Sequence, residues 1–168
     1  MHLLTLSTVT ADRMPAARLM VNRGADRVSG RLWFHADAES PKVAELRTSP
    51  YACVVGYDPS EGIELRVMGS AVVHTRGHVA DRHWGQFANI ATWMIGSPEA
   101  RPSGPYATDL RLPPDPDKLV HGLTARSRER FAVIEVVAET IDWLQAAGSD
   151  QKRAVLRRSG HWRADVVG

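Results

Sequence analysis

The chain has one cysteine, Cys53, so no disulfide can form within it. No cysteine and histidine spacing matches a zinc site. Lysine is scarce and arginine is scattered. With 21 basic and 19 acidic residues the net charge is only +2, and the basic stripe of a nucleic-acid binder is missing. No apolar run is long enough to span a membrane, and the start Met1-His2-Leu3-Leu4 lacks the basic region of a leader. These absences set the expectation of a soluble cytoplasmic protein with neither nucleic acid nor membrane as partner. No glycine-rich fingerprint and no βαβ alternation appear, which argues against a Rossmann-type nucleotide fold. No local signature suggests a Ser-His-Asp or Cys-His arrangement, so no catalytic side chain is assigned.

What is present is an ordinary globular composition, 43% hydrophobic and 24% charged, over 168 residues. A chain of this length can bury roughly 70% of its unfolded surface and needs no disulfide or metal staple. The expectation is one domain over residues 1–168. Cys53, inside an apolar run, reads as a small buried hydrophobe.

Residues 2–10 are rich in Leu, Thr and Val and read as a strand. A turn follows at 11–15, then an extended run over 16–22, a turn at 26–30, and a strand over 31–36. Three strands joined by short turns predict an antiparallel meander. The period then changes. Ser40 stands as an N-cap with Pro41 at the first helical position, and Pro50 stops a short helix. Strands are predicted at 51–57 and 63–74, the latter with Glu64, Arg66 and Met68 on one face and Ile63, Leu65 and Val67 on the other. Residues 78–95 carry apolar groups at helical spacing. Residues 97–118 hold most of the ten prolines and read as an irregular loop. A strand-rich run over 130–144 follows. Residues 153–158 and 161–166 flank Ser159-Gly160, a hairpin signal. Six or more antiparallel strands with two peripheral helices predict a mainly β, α+β protein built on a small barrel.

Three stretches stand out for chemistry: Ala17-Arg18-Leu19-Met20-Val21-Asn22-Arg23, Leu32-Trp33-Phe34-His35-Ala36-Asp37, and Ser40-Pro41-Lys42. A helix N-terminus offers free N–H groups and a partial positive charge. Ser40 adds a hydroxyl and Lys42 a full charge, so the third stretch can cradle a phosphate without a glycine-rich loop. Arg18 can add a bidentate fork. Taken alone, Ser-Pro-Lys is far more often a plain capped helix with a solvent-facing lysine.

The order and spacing of these stretches, from Pro15 to Gly69, resemble the pyridoxamine 5′-phosphate oxidase-like family of FMN-binding split β-barrels. The likeness lies in the strand bounded by Arg18 and Arg23, in Phe34-His35, in Ser40-Pro41-Lys42 with Glu45-Leu46 and Pro50 behind it, and in Glu64-Leu65-Arg66-Val67-x-Gly69. The tail from Ile141 through Arg153 to Asp165 is similar to the family's closing hairpin, and residues 75–130 fall outside the likeness. The resemblance implies an antiparallel split β-barrel with peripheral helices, FMN as cofactor and a homodimer with the cofactor at the subunit interface. It implies Arg18, Ser40 and Lys42 on the FMN phosphate, and the backbone of Leu19, Met20, Val21 and Asn22 along the flavin ring. Arg23, where the family usually has Lys, would stand near the flavin edge and the substrate. Phe34 and His35 would flank the ribityl chain and ring. Glu64 stands where the family often has Gln, and Asn89 and Arg153 would reach the cofactor across the interface.

Two departures bear on function. The region Arg82-His83-Trp84-Gly85-Gln86-Phe87 does not reproduce the family's basic cluster for the substrate phosphate. Ser149 and Gln151 stand where a substrate-gripping Arg and His are expected. The reading is therefore an FMN-dependent oxidoreductase with a small-molecule substrate other than the usual vitamin B6 phosphate. The alternative is a non-catalytic protein that stores or senses a flavin or another planar cofactor. His74, His78 and His83 fit no metal pattern, and Trp84 and Trp93 read as core or interface residues.

Overall fold

The computed structural model describes residues 3–86, 125–146 and 151–167. The end of the expected 78–95 helix, the proline-rich loop, Asn89, Trp93 and Ser149 lie outside these residues. The described chain divides into two compact units. One holds residues 1–34, 44–73 and 134–168; the other holds residues 35–43 and 74–133.

Eight strands form one antiparallel sheet: β1 Leu3–Val9, β2 Pro15–Asp26, β3 Arg31–Asp37, β4 Tyr51–Asp58, β5 Ile63–His74, β6 Phe131–Gln145, β7 Lys152–Ser159 and β8 His161–Val167. The strand order is β3-β2-β1-β4-β5-β6-β7-β8, and a further β3–β6 pairing closes the first six strands into a barrel. The mainly β, antiparallel barrel expected from the pattern is thus present, and the β1-β2-β3 meander with it. Alternation sets the register. Leu6 pairs with Arg18 and with Val54, and Val54 pairs with Val67, so these side chains share the inner face. Leu4, Leu6, Val54, Val67, Ile134 and Val136 are buried there. The 26–30 turn is held by Asp26, whose carboxylate accepts from the Val28 and Ser29 amides at 2.8 and 3.2 Å. Gly30 closes this turn at φ 65°, a conformation that a β-carbon penalises.

Two elements and one residue depart from the expectations. β2 runs four residues beyond Asn22, because a register shift between Asn22 and Gly24 leaves Arg23 as an extra residue and lets pairing with β3 resume. The hairpin between β7 and β8 turns on Gly160 alone, at φ 80°, with Ser159 already paired to His161. Cys53 is half-buried rather than buried, since it lies on the outward face of β4.

The helices are α1 Pro41–Thr48, α2 His78–Gln86 and α3 Ala125–Arg130. In the second unit Ala36, Val43, Ala80, Phe131, Ala132 and Val133 are buried. No helix among the described residues is long and apolar enough to cross a membrane.

Candidate functional site

In the barrel unit, the stretch assigned to the cofactor lies on β2. Arg18 faces inward. Its Nη1 donates to the Thr8 hydroxyl at 2.5 Å and toward the Leu6 carbonyl at 3.4 Å, and its Nη2 donates to Glu45 at 2.9 Å. Thr8 also donates to Glu45 at 2.5 Å. Arg18 is therefore held by α1's carboxylate, with 22% of its side chain exposed. Leu19 and Val21 face outward and are 64% and 43% exposed, while Met20 pairs with Leu4. Arg23 sits in the β2 bulge, and partial burial pulls its guanidinium below the ordinary arginine value. Sequence reading missed this bulge, although Gly24 behind Arg23 is the kind of residue that marks one.

Phe34 is fully buried, so its side chain belongs to the barrel core and only its backbone, paired with Asn22, can meet a ligand. Glu64 is exposed on β5 beside Arg66. Arg153, on β7, clamps Asp142 through Nε at 2.9 Å and Nη2 at 2.7 Å, and Arg66 reaches the same carboxylate at 2.5 Å. The Arg153 fork first, and Arg66 after it, hold the Asp142 carboxyl down to about 2 against the opposing effect of burial. The sequence reading assigned neither Asp142 nor Arg66 a partner. Their meeting depends on strands 76 residues apart in the chain.

In the second unit, α1 begins at Pro41 and carries no acidic residue in its first turn. The Ser40 hydroxyl donates to the Asp37 carbonyl at 2.6 Å, and the Val43 amide donates to the Ser40 carbonyl at 3.0 Å. Lys42 is half-buried in the first turn. Asp37 is ion-paired with Arg130, which also meets Glu39 at 3.1 Å. His35 lies with its Nε2 3.1 Å from Nδ1 of His83, a buried residue of α2. The His35 ring meets Phe131 edge-on at 4.8 Å, and Trp84 packs on the same phenyl ring at 5.3 Å. Trp84 is thus a packing residue, as its sequence context suggests.

Among the described residues no group of three or more metal-ligating side chains forms. Two hollows of about 410 and 250 Å³ open in the barrel unit. The larger is lined by Ser7, Tyr51, Cys53, Met68 and Glu139 among others. Burial raises the Cys53 thiol there, which leaves it protonated and unreactive at neutral pH.

This architecture recurs in solved structures. A Nostoc punctiforme protein described as pyridoxamine 5′-phosphate oxidase-related and FMN binding superposes with a TM-score of 0.68 at 22% identity, covering 99% of this chain and 88% of its own. PhzG of Burkholderia lata, solved with tetrahydrophenazine-1-carboxylic acid, gives a TM-score of 0.70 at 18% identity, covering 99% of this chain and 81% of its own. At these identities the likeness is one of fold. In sequence, the pyridoxine/pyridoxamine 5′-phosphate oxidase of Leptospira interrogans is 34% identical over 73 residues, 44% of this chain. That match spans only 33% of the relative's length. The profile of the family described as pyridoxamine 5′-phosphate oxidase matches residues 1–157, nearly the whole chain. Barrel topology and profile agree, and the chain belongs to the pyridoxamine 5′-phosphate oxidase family.

Proposed function

We propose that this protein is an FMN-binding flavoprotein that acts as an oxidoreductase on a small molecule. The observation that carries the reading is the family match over residues 1–157. The chain's own residues fit the cofactor. The first turn of α1 has Lys42 and no acidic residue, which suits a phosphate dianion. The exposed apolar strip of Leu19 and Val21 on β2 suits a planar ring. Ser40 and Lys42 would hold the phosphate, and the β2 backbone from Leu19 to Asn22 would lie along the flavin. When bound, the flavin supplies the redox chemistry, and the protein supplies binding, orientation and electrostatics.

The reading includes a homodimer. Leu3, Leu19, Val21, Tyr51, Tyr57 and Met68 share the outer face of the barrel and are 40–66% exposed. Exposed apolar groups gathered on one face mark a contact surface, and a second copy would cover them isologously.

The test is the absorbance spectrum of the purified protein, followed by titration with FMN and riboflavin. Flavin absorbance is expected, and Lys42→Ala should weaken FMN by about 10- to 150-fold while leaving riboflavin nearly unchanged. A colourless protein that takes up neither compound would overturn the assignment. The exposed Glu64, in place of the family's usual glutamine, favours a second reading in which the flavin is stored or sensed. Bleaching of the yellow colour by NADH or NADPH supports the oxidoreductase over that alternative.

A further inference from the structure

β6 lies between β5 and β7 in the sheet, and Asp142 stands on it with an arginine from each flanking strand. Arg153 of β7 pairs with Leu144, two residues from Asp142, so its side chain is a diagonal neighbour of the carboxylate on the same face. It meets Asp142 side-on: Nε donates to Oδ1 at 2.9 Å and Nη2 to Oδ2 at 2.7 Å. From the β5 side, Arg66 donates through Nη2 to Oδ2 at 2.5 Å. The Asp142 side chain is 9% exposed, while those of Arg153 and Arg66 are 45% and 42% exposed.

A two-bond fork of this kind fixes the plane of a guanidinium as well as its position. For Arg153 it engages Nε and Nη2 and leaves Nη1 without a partner among the described residues. A half-exposed arginine with no anchor samples many rotamers, and ordering it on binding weakens the complex. Here the ordering is already done. Glu64, on β5 with Arg66, adds a further attraction on Arg153. The Arg153 fork keeps Asp142 ionised well below neutral pH, so the anchor is present throughout the working range.

We propose that Asp142 is the positioning residue for Arg153: braced by Arg66, its carboxylate holds the Arg153 guanidinium in a fixed plane and presents the free Nη1 end to the cofactor. The inference rests on the proposed function, through the placement of Arg153 at the cofactor. Asp142 itself touches no ligand. Charge and position act in opposite directions at this residue. By charge alone, neutralising Asp142 favours the FMN dianion, so a weaker complex after neutralisation has the sign of lost positioning.

The experiment is a fluorescence titration of the full chain with FMN. It compares the wild type with Asp142→Asn, Asp142→Glu, Arg153→Ala and the double variant Asp142→Asn with Arg153→Ala. Arg153→Ala is expected to lose about 10- to 150-fold in affinity, the value of one charge-assisted bond. Asp142→Asn should lose about 3- to 10-fold, which corresponds to ordering one long side chain. Asp142→Glu keeps a carboxylate for the fork and should recover most of that loss. In the double variant Asp142→Asn should add nothing to the loss from Arg153→Ala, because no guanidinium is left to position. Additive losses, unchanged or tighter binding by Asp142→Asn, a Glu variant as weak as the Asn variant, or wild-type affinity in Arg153→Ala would each overturn the proposal. FMN uptake by the wild type with any of these outcomes leaves the functional reading standing. A chain that takes up no FMN refutes that reading, and the role of Asp142 with it.

Discussion

Asp142 shows how one side chain is set by its neighbours. Its carboxyl, ordinarily near 3.8, is held to about 2 by two arginines. A folded-state value below the unfolded one means that the contribution to stability is complete above about pH 4. It is lost as pH falls toward 2. The shift corresponds to about 2 kcal/mol. The arginines are 45% and 42% exposed, so solvent screening reduces this to about 1 kcal/mol. Urea denaturation of the wild type and of Asp142→Asn, compared at pH 5 and pH 2.5, should show the wild type losing about 1 kcal/mol more. Equal losses would show that the clamp adds nothing. At neutral pH the variant should itself be weaker by about 1 kcal/mol, because two half-exposed arginines then lose their shared carboxylate. Arg18 has the converse problem. Strand alternation puts it on the side opposite Leu19, but it names neither the inner face nor the partner, since Glu45 reaches it from 27 residues away. Arg18→Ala would leave that carboxylate without its cation, which makes Lys42 the cleaner probe of phosphate binding.

Among the elements, β5 and β6 carry the tightest constraint. A β-carbon on Gly69 would lie 2.0 Å from the Val137 carbonyl oxygen and 3.0 Å from the Glu139 amide nitrogen, both backbone atoms. Gly69→Ala must push the two strands apart, at a cost of about 3 kcal/mol or more. A thermal melt should fall by about 6–12 °C. An unchanged midpoint would mean that the strands separate there without penalty. The sequence shows Gly69 only as the end of a strand motif; the approach that requires it is made by a segment nearly 70 residues later. Local signals fared better. Ser40-Pro41 marked the start of α1, strand-forming apolar composition marked β1 and β4, and period-2 alternation marked β5, because all three depend on neighbouring residues alone. The bulge at Arg23 and the β3–β6 closure depend on pairing partners, which a linear pattern does not name.

For the whole molecule, the proposed dimer predicts a light-scattering mass of twice the 18.5 kDa chain at micromolar concentration. Leu19→Glu, placed on the exposed outer face of β2, should shift the mass toward the monomer. A monomer mass for the wild type would count against the reading. Substrate choice belongs at this scale too, because the expected clamp comes from the tail of the chain. With Ser149 and Gln151 in place of the arginine and histidine that the family resemblance leads one to expect, two charged contacts to a substrate phosphate would be lost. Pyridoxamine 5′-phosphate should therefore turn over at least about 100-fold less efficiently than in a true oxidase of the family. Oxygen consumption with added FMN measures this, and ordinary turnover with a micromolar KM would restore the vitamin B6 assignment.

The pairing of β3 with β6 also governs the order of assembly during synthesis. Glu135 receives Arg31 at 2.6 Å and Trp33 at 3.3 Å, contacts 104 and 102 residues apart along the chain. As the chain leaves the ribosome, β1 to β5 can pair with their neighbours, but the ring stays open until β6 emerges. Until then β3 and β5 each present an unpaired edge, the kind of surface that joins nascent chains to one another.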